Sequence, residues 1–332
     1  MTAETLSEKT AVEDASMFRA PNAVFVVGPT ASGKSEFAFR LAKELNGVVI
    51  SADSMQIYRG LDVGTAKETP ARRAEVPHEM IDVVDKTDEF SVAAYAEMAK
   101  SCVKKAQNEG KLPIIAGGTG LYVEALLYPM KFGCSDKNAE LRASLEDECE
   151  EKGAHILYDK LRALDPVTAD RLHPNDVKRV IRALEIVLTT GKPMSQTKDE
   201  RPEPTSDDVI MVAFGCKDRA ALYARIDARV DEMIRNGLVR EVASIGTFNC
   251  QSMQAIGYKE FSGYELIRDG EIVLSEDELK EIAEKIKKNT RNYAKRQLTW
   301  FRRYPFARWF EAGDFASAAG YVKNRLNSGN RT

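Results

Sequence analysis

At 332 residues, with a net charge of −3, 43% hydrophobic and 30% charged content, the chain has globular values. These exclude a disordered or fibrous protein and leave room for one large or two ordinary domains. The near-balanced charge excludes global attraction to a polyanion, so a nucleic-acid partner needs a local basic face.

Residues 1–20 are polar and acidic, with no basic start and no apolar block. A disordered N-terminus is expected, with neither a signal peptide nor a membrane span, in a cytoplasmic protein. Five scattered cysteines, Cys102, Cys134, Cys149, Cys216 and Cys250, form no C-x-x-C pair, which argues against zinc and disulfides and for reduced thiols.

Val24-Phe25-Val26-Val27 is the first strand-like run, and it feeds Gly28-Pro29-Thr30-Ala31-Ser32-Gly33-Lys34-Ser35. This G-x-x-x-x-G-K-[ST] loop opens a helix expected over 34–45, in the order a phosphate cradle requires. Its glycines turn backbone N–H groups inward, the helix presents the positive end of its dipole, Lys34 adds a mobile charge and Ser35 can ligand Mg²⁺. A second strand, Gly47–Ser51, leads to Asp53-Ser54-Met55-Gln56. In a parallel sheet that strand end faces the same crevice as the loop, so Asp53 is either a general base or a cap and distant Mg²⁺ partner. The turn Gly64-Thr65-Ala66-Lys67 either adds a cation near the phosphates or carries a solvated lysine.

A helix entered through Ser91 is expected over 91–109, then a strand over 112–116 ending in Gly117-Gly118-Thr119-Gly120. An ordinary P-loop hydrolase would place an acid for Mg²⁺ there. Its absence weakens an ATPase reading, with Asp82 and Asp85 the competing acids. The glycines leave room for a flat ligand close to the backbone, and Thr119 can hydrogen-bond to it. From about 136 to 200 the pattern turns wholly helical, punctuated at Gly153, Asp165-Pro166, His173–Asp176 and Gly191-Lys192-Pro193, as a helical insertion would be. Within it Lys178 and Arg182 share one helix face, with Arg179 beside them.

Pro202-Glu203-Pro204 marks an exposed seam. A strand over Val209–Phe214 returns to the core, followed by helices over 218–236, 238–246 and 276–303. From Lys285 to Arg303 there are eight Lys or Arg and no acid, interleaved with Tyr293, Trp300 and Phe301. This is either an RNA-binding stripe or a solvated face over core aromatics. The fold class is α/β: a P-loop NTPase-like parallel sheet over 21–135 and 205–325 with helices on both faces, plus a helical insertion over 136–204.

These motifs, in order, together with Gln254-Ala255-Ile256-Gly257-Tyr258-Lys259-Glu260 and Lys295-Arg296-Gln297-Leu298-Thr299-Trp300, resemble the bacterial tRNA dimethylallyltransferase family. The resemblance spans about residues 22–310 and departs from the family's Pro-rich link at 131–137. It implies transfer of a dimethylallyl group from dimethylallyl diphosphate to N6 of adenosine 37, beside the anticodon, in tRNAs that read codons beginning with U. Gly28, Pro29, Thr30, Ala31, Ser32, Gly33, Lys34 and Ser35 would hold the diphosphate, with Mg²⁺ at Ser35 as cofactor. Asp53, Thr119 and Arg142 would be catalytic. Those three, with Ser54, Met55, Gln56, Lys178, Arg179, Val180, Ile181 and Arg182, would contact the tRNA anticodon stem-loop. A monomer without membrane attachment is expected. The alternatives are an adenylate isopentenyltransferase, a P-loop small-molecule kinase acting with ATP, or an RNA-binding switch.

Overall fold

The computed structural model describes Phe18 and residues 22–128, 139–196 and 209–329. The rest of the N-terminal stretch, the segment at 131–137 and the Pro202–Pro204 seam lie outside the described residues, while Phe18 packs in the core 5.9 Å from the Phe25 ring.

The elements in chain order are β1 (Val24–Val27), α1 (Lys34–Glu44), β2 (Gly47–Ser51), α2 (Pro70–Glu75), β3 (His78–Glu79), α3 (Val92–Asn108), β4 (Leu112–Gly117) and α4 (Gly120–Leu127). Next come α5 (Ala139–Lys152), α6 (Ala154–Leu164), α7 (Pro166–Ala169), α8 (Val177–Thr190) and β5 (Ile210–Gly215). The chain continues through α9 (Arg219–Arg235), α10 (Leu238–Ile245), β6 (Ile267–Arg268), β7 (Glu271–Ile272), α11 (Glu276–Phe301), β8 (Arg308–Glu311) and α12 (Phe315–Gly329). The chain divides into two compact units, one of residues 1–129 with 203–332 and the other of residues 130–202. Among the described residues no helix is long and apolar enough to cross a membrane.

The larger unit is built on a parallel sheet ordered β3-β2-β4-β1-β5-β8. Its central strands are continuously apolar because both faces are covered. Alternate residues feed opposite layers. Phe25 and Val27 join the core under α3, α4, α10 and α11, whereas Val24 and Val26 join the core under α1 and α12. The Ser91 cap is present: its Oγ accepts the Ala94 N–H at 3.1 Å. The strands β3 and β8 are additions to the expected set. β3 has two residues, and β8 lies at a partly exposed edge, so neither carries the apolar run that marks a covered strand.

This topology places the site. β1 and β4 are neighbours, yet α1 after β1 packs on one face and α4 after β4 on the other. The two connections diverge and open a crevice at the carboxyl ends of the strands, the topological switch point. Close pairing there depends on Gly117, where an added Cβ would stand 2.2 Å from the Ala52 carbonyl oxygen. Backbone cannot yield as a side chain does. Gly117→Ala is expected to cost about 3 kcal/mol and lower Tm by roughly 5 °C, measurable by a thermal melt.

The smaller unit is helical, with Leu145, Leu157, Leu161, Val180, Ile181 and Leu184 in its core.

Candidate active site

The phosphate loop is held from three sides. Ala31 adopts φ 59° and Gly33 φ 86°, the left-handed turns that bring successive N–H groups to the inside. Arg225 Nε donates to Ala31 O at 3.0 Å, Lys34 Nζ donates back to Pro29 O at 3.2 Å, and the Thr30 N–H donates to Gln297 Oε1 at 2.9 Å. The Ser32 hydroxyl is buried without a hydrogen-bond partner, so the loop's interior keeps an unspent polar group. Burial, reinforced by the charge of Arg229 and partly offset by Asp53, brings the Lys34 ammonium down to about 8. A desolvated cation of this kind gains from an anion placed beside it.

Across the crevice, the pairing of β2 with β4 continues past the strands. Ala52 N–H donates to Ala116 O at 2.8 Å and Thr119 N–H to Ala52 O at 3.1 Å. That brings Thr119 to Ser54, whose N–H donates to Thr119 Oγ1 at 3.0 Å. Asp53 Oδ1 accepts the Met55 N–H at 2.9 Å, which orients the carboxylate. Tyr95, stacked on Tyr122 with ring centroids 3.8 Å apart, donates its hydroxyl to Ser51 O at 3.1 Å and anchors the strand end from below.

Loop and strand end share one cavity of about 320 Å³. Thr30, Lys34, Ser35, Asp53, Ser54, Met55 and Gln56 line it. Among its described lining residues are four cations, Lys34, Arg229, Lys259 and Arg296, against one carboxylate, Asp53; the balance suits a polyanion. Ile226, Val230, Met233 and Ile286 add an apolar wall from α9 and α11. The pocket thus pairs a charged end with a greasy one.

Several of these residues escape a reading of the sequence. Arg229 sits on α9 among other charges, where it reads as part of a solvated face; burial in fact lowers its pKa, and Asp53 counters that. Gln297 is 4% exposed and ties the phosphate loop to the end of β4, since its Nε2 donates to Gly118 O at 2.9 Å. Tyr293 lies 3.5 Å from the same carbonyl, and burial, with the charge of Asp53, pushes its hydroxyl up to about 12, so it stays protonated.

The structure revises other expectations. Space beside Gly118 and Gly120 is filled by Gln297 and Trp300, whose atoms would lie 2.1 and 2.3 Å from an added Cβ; these glycines admit the protein's own side chains, not a ligand. Lys67 is neither solvated nor at the phosphates: its ammonium donates to Tyr58 O, Asp62 and Asp82 at 2.6–2.7 Å. Asp82 also pairs with Arg73, and Asp85 with Arg59, so both acids are spent away from the loop. Half of the basic run is held in ion pairs, with Lys285 on Glu281, Lys287 on Asp231 and Arg291 on Asp227 along α11, and Arg303 just beyond it on Glu124. Phe301 is buried in the core.

In the helical unit, Val180 and Ile181 are 1% and 3% exposed. They are core residues whose side chains cannot reach RNA, because the face of α8 that carries them packs inward. Lys178 and Arg179 are exposed on the same helix. Arg142 and Arg182 both bind Glu185 Oε2, at 2.8 and 3.0 Å, and that carboxylate is itself wholly buried.

The residues present fit Mg²⁺. Ser35 offers a hydroxyl oxygen on the wall of the cavity that Asp53 also lines, and no group of three acidic, His or Cys side chains forms a protein-only metal cage among the described residues. An oxygen-seeking ion that keeps phosphate and water ligands suits that donor set.

The family profile described as IPP transferase matches residues 56–304. The chain is 47% identical over 299 residues to the tRNA dimethylallyltransferase of Caldanaerobacter subterraneus subsp. tengcongensis, covering 88% of this chain and 92% of that protein. It is 46% identical over 308 residues to that of Thermoanaerobacter sp. strain X514, covering 91% and 95%. Among solved structures it is similar to the full-length tRNA isopentenylpyrophosphate transferase of Bacillus halodurans, with 39% identity and TM-score 0.65 over 93% of this chain and 98% of that one. It is also similar to a eukaryotic dimethylallyltransferase acting on tRNA, with 27% identity and TM-score 0.72 over 91% and 77%.

Proposed function

Because this chain belongs to the IPP transferase family, we propose that it transfers a dimethylallyl group from dimethylallyl diphosphate to N6 of adenosine 37 in tRNAs that read codons beginning with U. The observation that carries the reading is the single cavity that joins a cation-lined phosphate loop to Asp53 and an apolar wall. As the allylic C–O bond breaks, its electron pair leaves with the diphosphate. Lys34, Arg229 and the loop N–H groups offset the charge that grows there. The N6 nitrogen forms the new bond to the allylic carbon, and its proton passes to Asp53, since an exocyclic amine is a poor nucleophile until a base accepts that proton. Bound Mg²⁺, held by Ser35, would add positive charge at the diphosphate.

Thr119 and Ser54 brace Asp53's end of the crevice, and Gln56 and Met55 face the base. The target base leaves its stack, at a cost of about a few kcal/mol that contacts elsewhere on the RNA offset. Lys178 and Arg179, exposed on α8, with Arg142 and Arg182 held by Glu185, would grip the anticodon stem-loop, and the protein would act as a monomer.

The test incubates the protein with Mg²⁺, dimethylallyl diphosphate and either unmodified tRNA or AMP, followed by nucleoside mass spectrometry. Prenylated adenosine is expected in tRNA alone. Product from AMP alone would move the activity to free adenylates, and product from neither would overturn the proposal.

A further inference from the structure

We propose that Glu241, on α10, is a positioning residue that sets the base-facing side of the cavity without touching substrate. Its carboxylate is fully engaged. Oε2 accepts the N–H groups of Asp62 and Val63 at 2.8 and 2.7 Å, while Oε1 accepts the Gly64 N–H at 2.9 Å and the Tyr258 hydroxyl at 2.6 Å. Four donors fill the four lone-pair sites of a carboxylate. Three successive backbone N–H groups turned to one anion form a nest, and here the anion is the protein's own.

The clamp joins two segments that the transfer chemistry leaves unused, Asp62–Lys67 and Gln254–Glu260. Gly64 lies flat against the Tyr258 ring, where an added Cβ would be 2.5 Å from a ring carbon. The next carbonyl, Thr65 O, accepts Gln56 Nε2 at 3.3 Å, and Gln56 Oε1 accepts the Ser51 hydroxyl at 2.9 Å. The position of the 62–65 turn therefore decides which way the Gln56 amide points. On the other side, Tyr258 belongs to the loop whose Gln254, Ala255, Ile256 and Gly257 line the cavity. That loop is pinned a second time where Glu260 accepts the Gly257 N–H and the Asn289 amide, at 2.8 and 2.7 Å. One carboxylate thus holds two walls of the pocket in register.

This inference rests on Gln56 facing the tRNA base. Glu241→Gln puts an NH₂ donor against donors, so at least one nest contact is lost. Its expected effect is a rise of about tenfold in KM for tRNA, with the affinity for inorganic diphosphate unchanged within about twofold. Because Glu241 acts through Gln56, Glu241→Gln combined with Gln56→Ala is expected to be no worse than Gln56→Ala alone, the non-additivity of a coupled pair. Effects that multiply, or a loss confined to diphosphate affinity or Tm, overturn the proposal. If Glu241→Gln does not fold, Tyr258→Phe, which deletes one donor in place, must raise KM for tRNA in the wild-type background and not beside Gln56→Ala; an unchanged KM overturns it equally. Wild-type protein that makes no prenylated tRNA would instead overturn the functional reading, a result separate from either.

Discussion

Asp53→Asn is expected to lower kcat for prenyl transfer by about two to four orders of magnitude, the contribution of a positioned general base. The substitution keeps Oδ1 and its bond from the Met55 N–H, so the crevice should keep its shape while losing the proton acceptor. Asp53 is also the one carboxylate among the described lining residues, beside the charges of Lys34 and Arg229. Neutralising it should therefore leave diphosphate affinity unchanged or tighter. Single-turnover transfer and calorimetric titration with inorganic diphosphate separate the two effects. A kcat within tenfold of wild type would remove Asp53 from the role of base.

Lys34→Met is expected to have the converse signature, with kcat/KM for the prenyl donor reduced about 10²- to 10³-fold, the scale of losing one aimed charge stabiliser, and diphosphate affinity falling with it. A pH dependence follows from the same group. In the free protein burial, with the charge of Arg229, holds Lys34 at about 8, and a bound anion favours the ammonium and raises that value. Below pH 8 both free and bound forms carry the proton, so affinity is flat. Above it the free form has lost the proton and binding must take one up, so affinity falls by up to about tenfold per pH unit until the bound form also titrates. Calorimetry with inorganic diphosphate at pH 8–9 in two buffers of different ionisation enthalpy should register proton uptake in wild type and none at this site in Lys34→Met.

The basic segment at 285–303 shows how burial redirects a charge pattern. Read along the chain it suits a phosphate backbone. In the fold, acids from α9 and from α11's own neighbouring turns pair with Lys285, Lys287 and Arg291, while Arg296 and the uncharged Tyr293 and Gln297 line the cavity. The helix forms one wall of the cavity. A charge run has no way to show in sequence that its partners lie some sixty residues away, as Asp227 does for Arg291.

Much of the site was nonetheless determined by sequence alone. The phosphate loop, its strand and its helix are contiguous, and local hydrogen bonding with backbone sterics suffices to form them. Continuous apolar runs marked β1, β2, β4 and β5 because strands covered on both faces have no polar side to alternate, and Asp53 followed from standing at the end of one of them. Tertiary structure alone decided the rest. It buried Val180 and Ile181, gave Lys67 to Asp62 and Asp82, placed Gln297 between two strand ends, brought Arg229 to the cavity that Lys34 lines, and set Glu241 under a turn nearly 180 positions earlier in the chain. Each of these roles depends on which groups are desolvated together, and desolvation is a property of packing, set by residues distant in sequence that no local pattern of charge or hydrophobicity encodes.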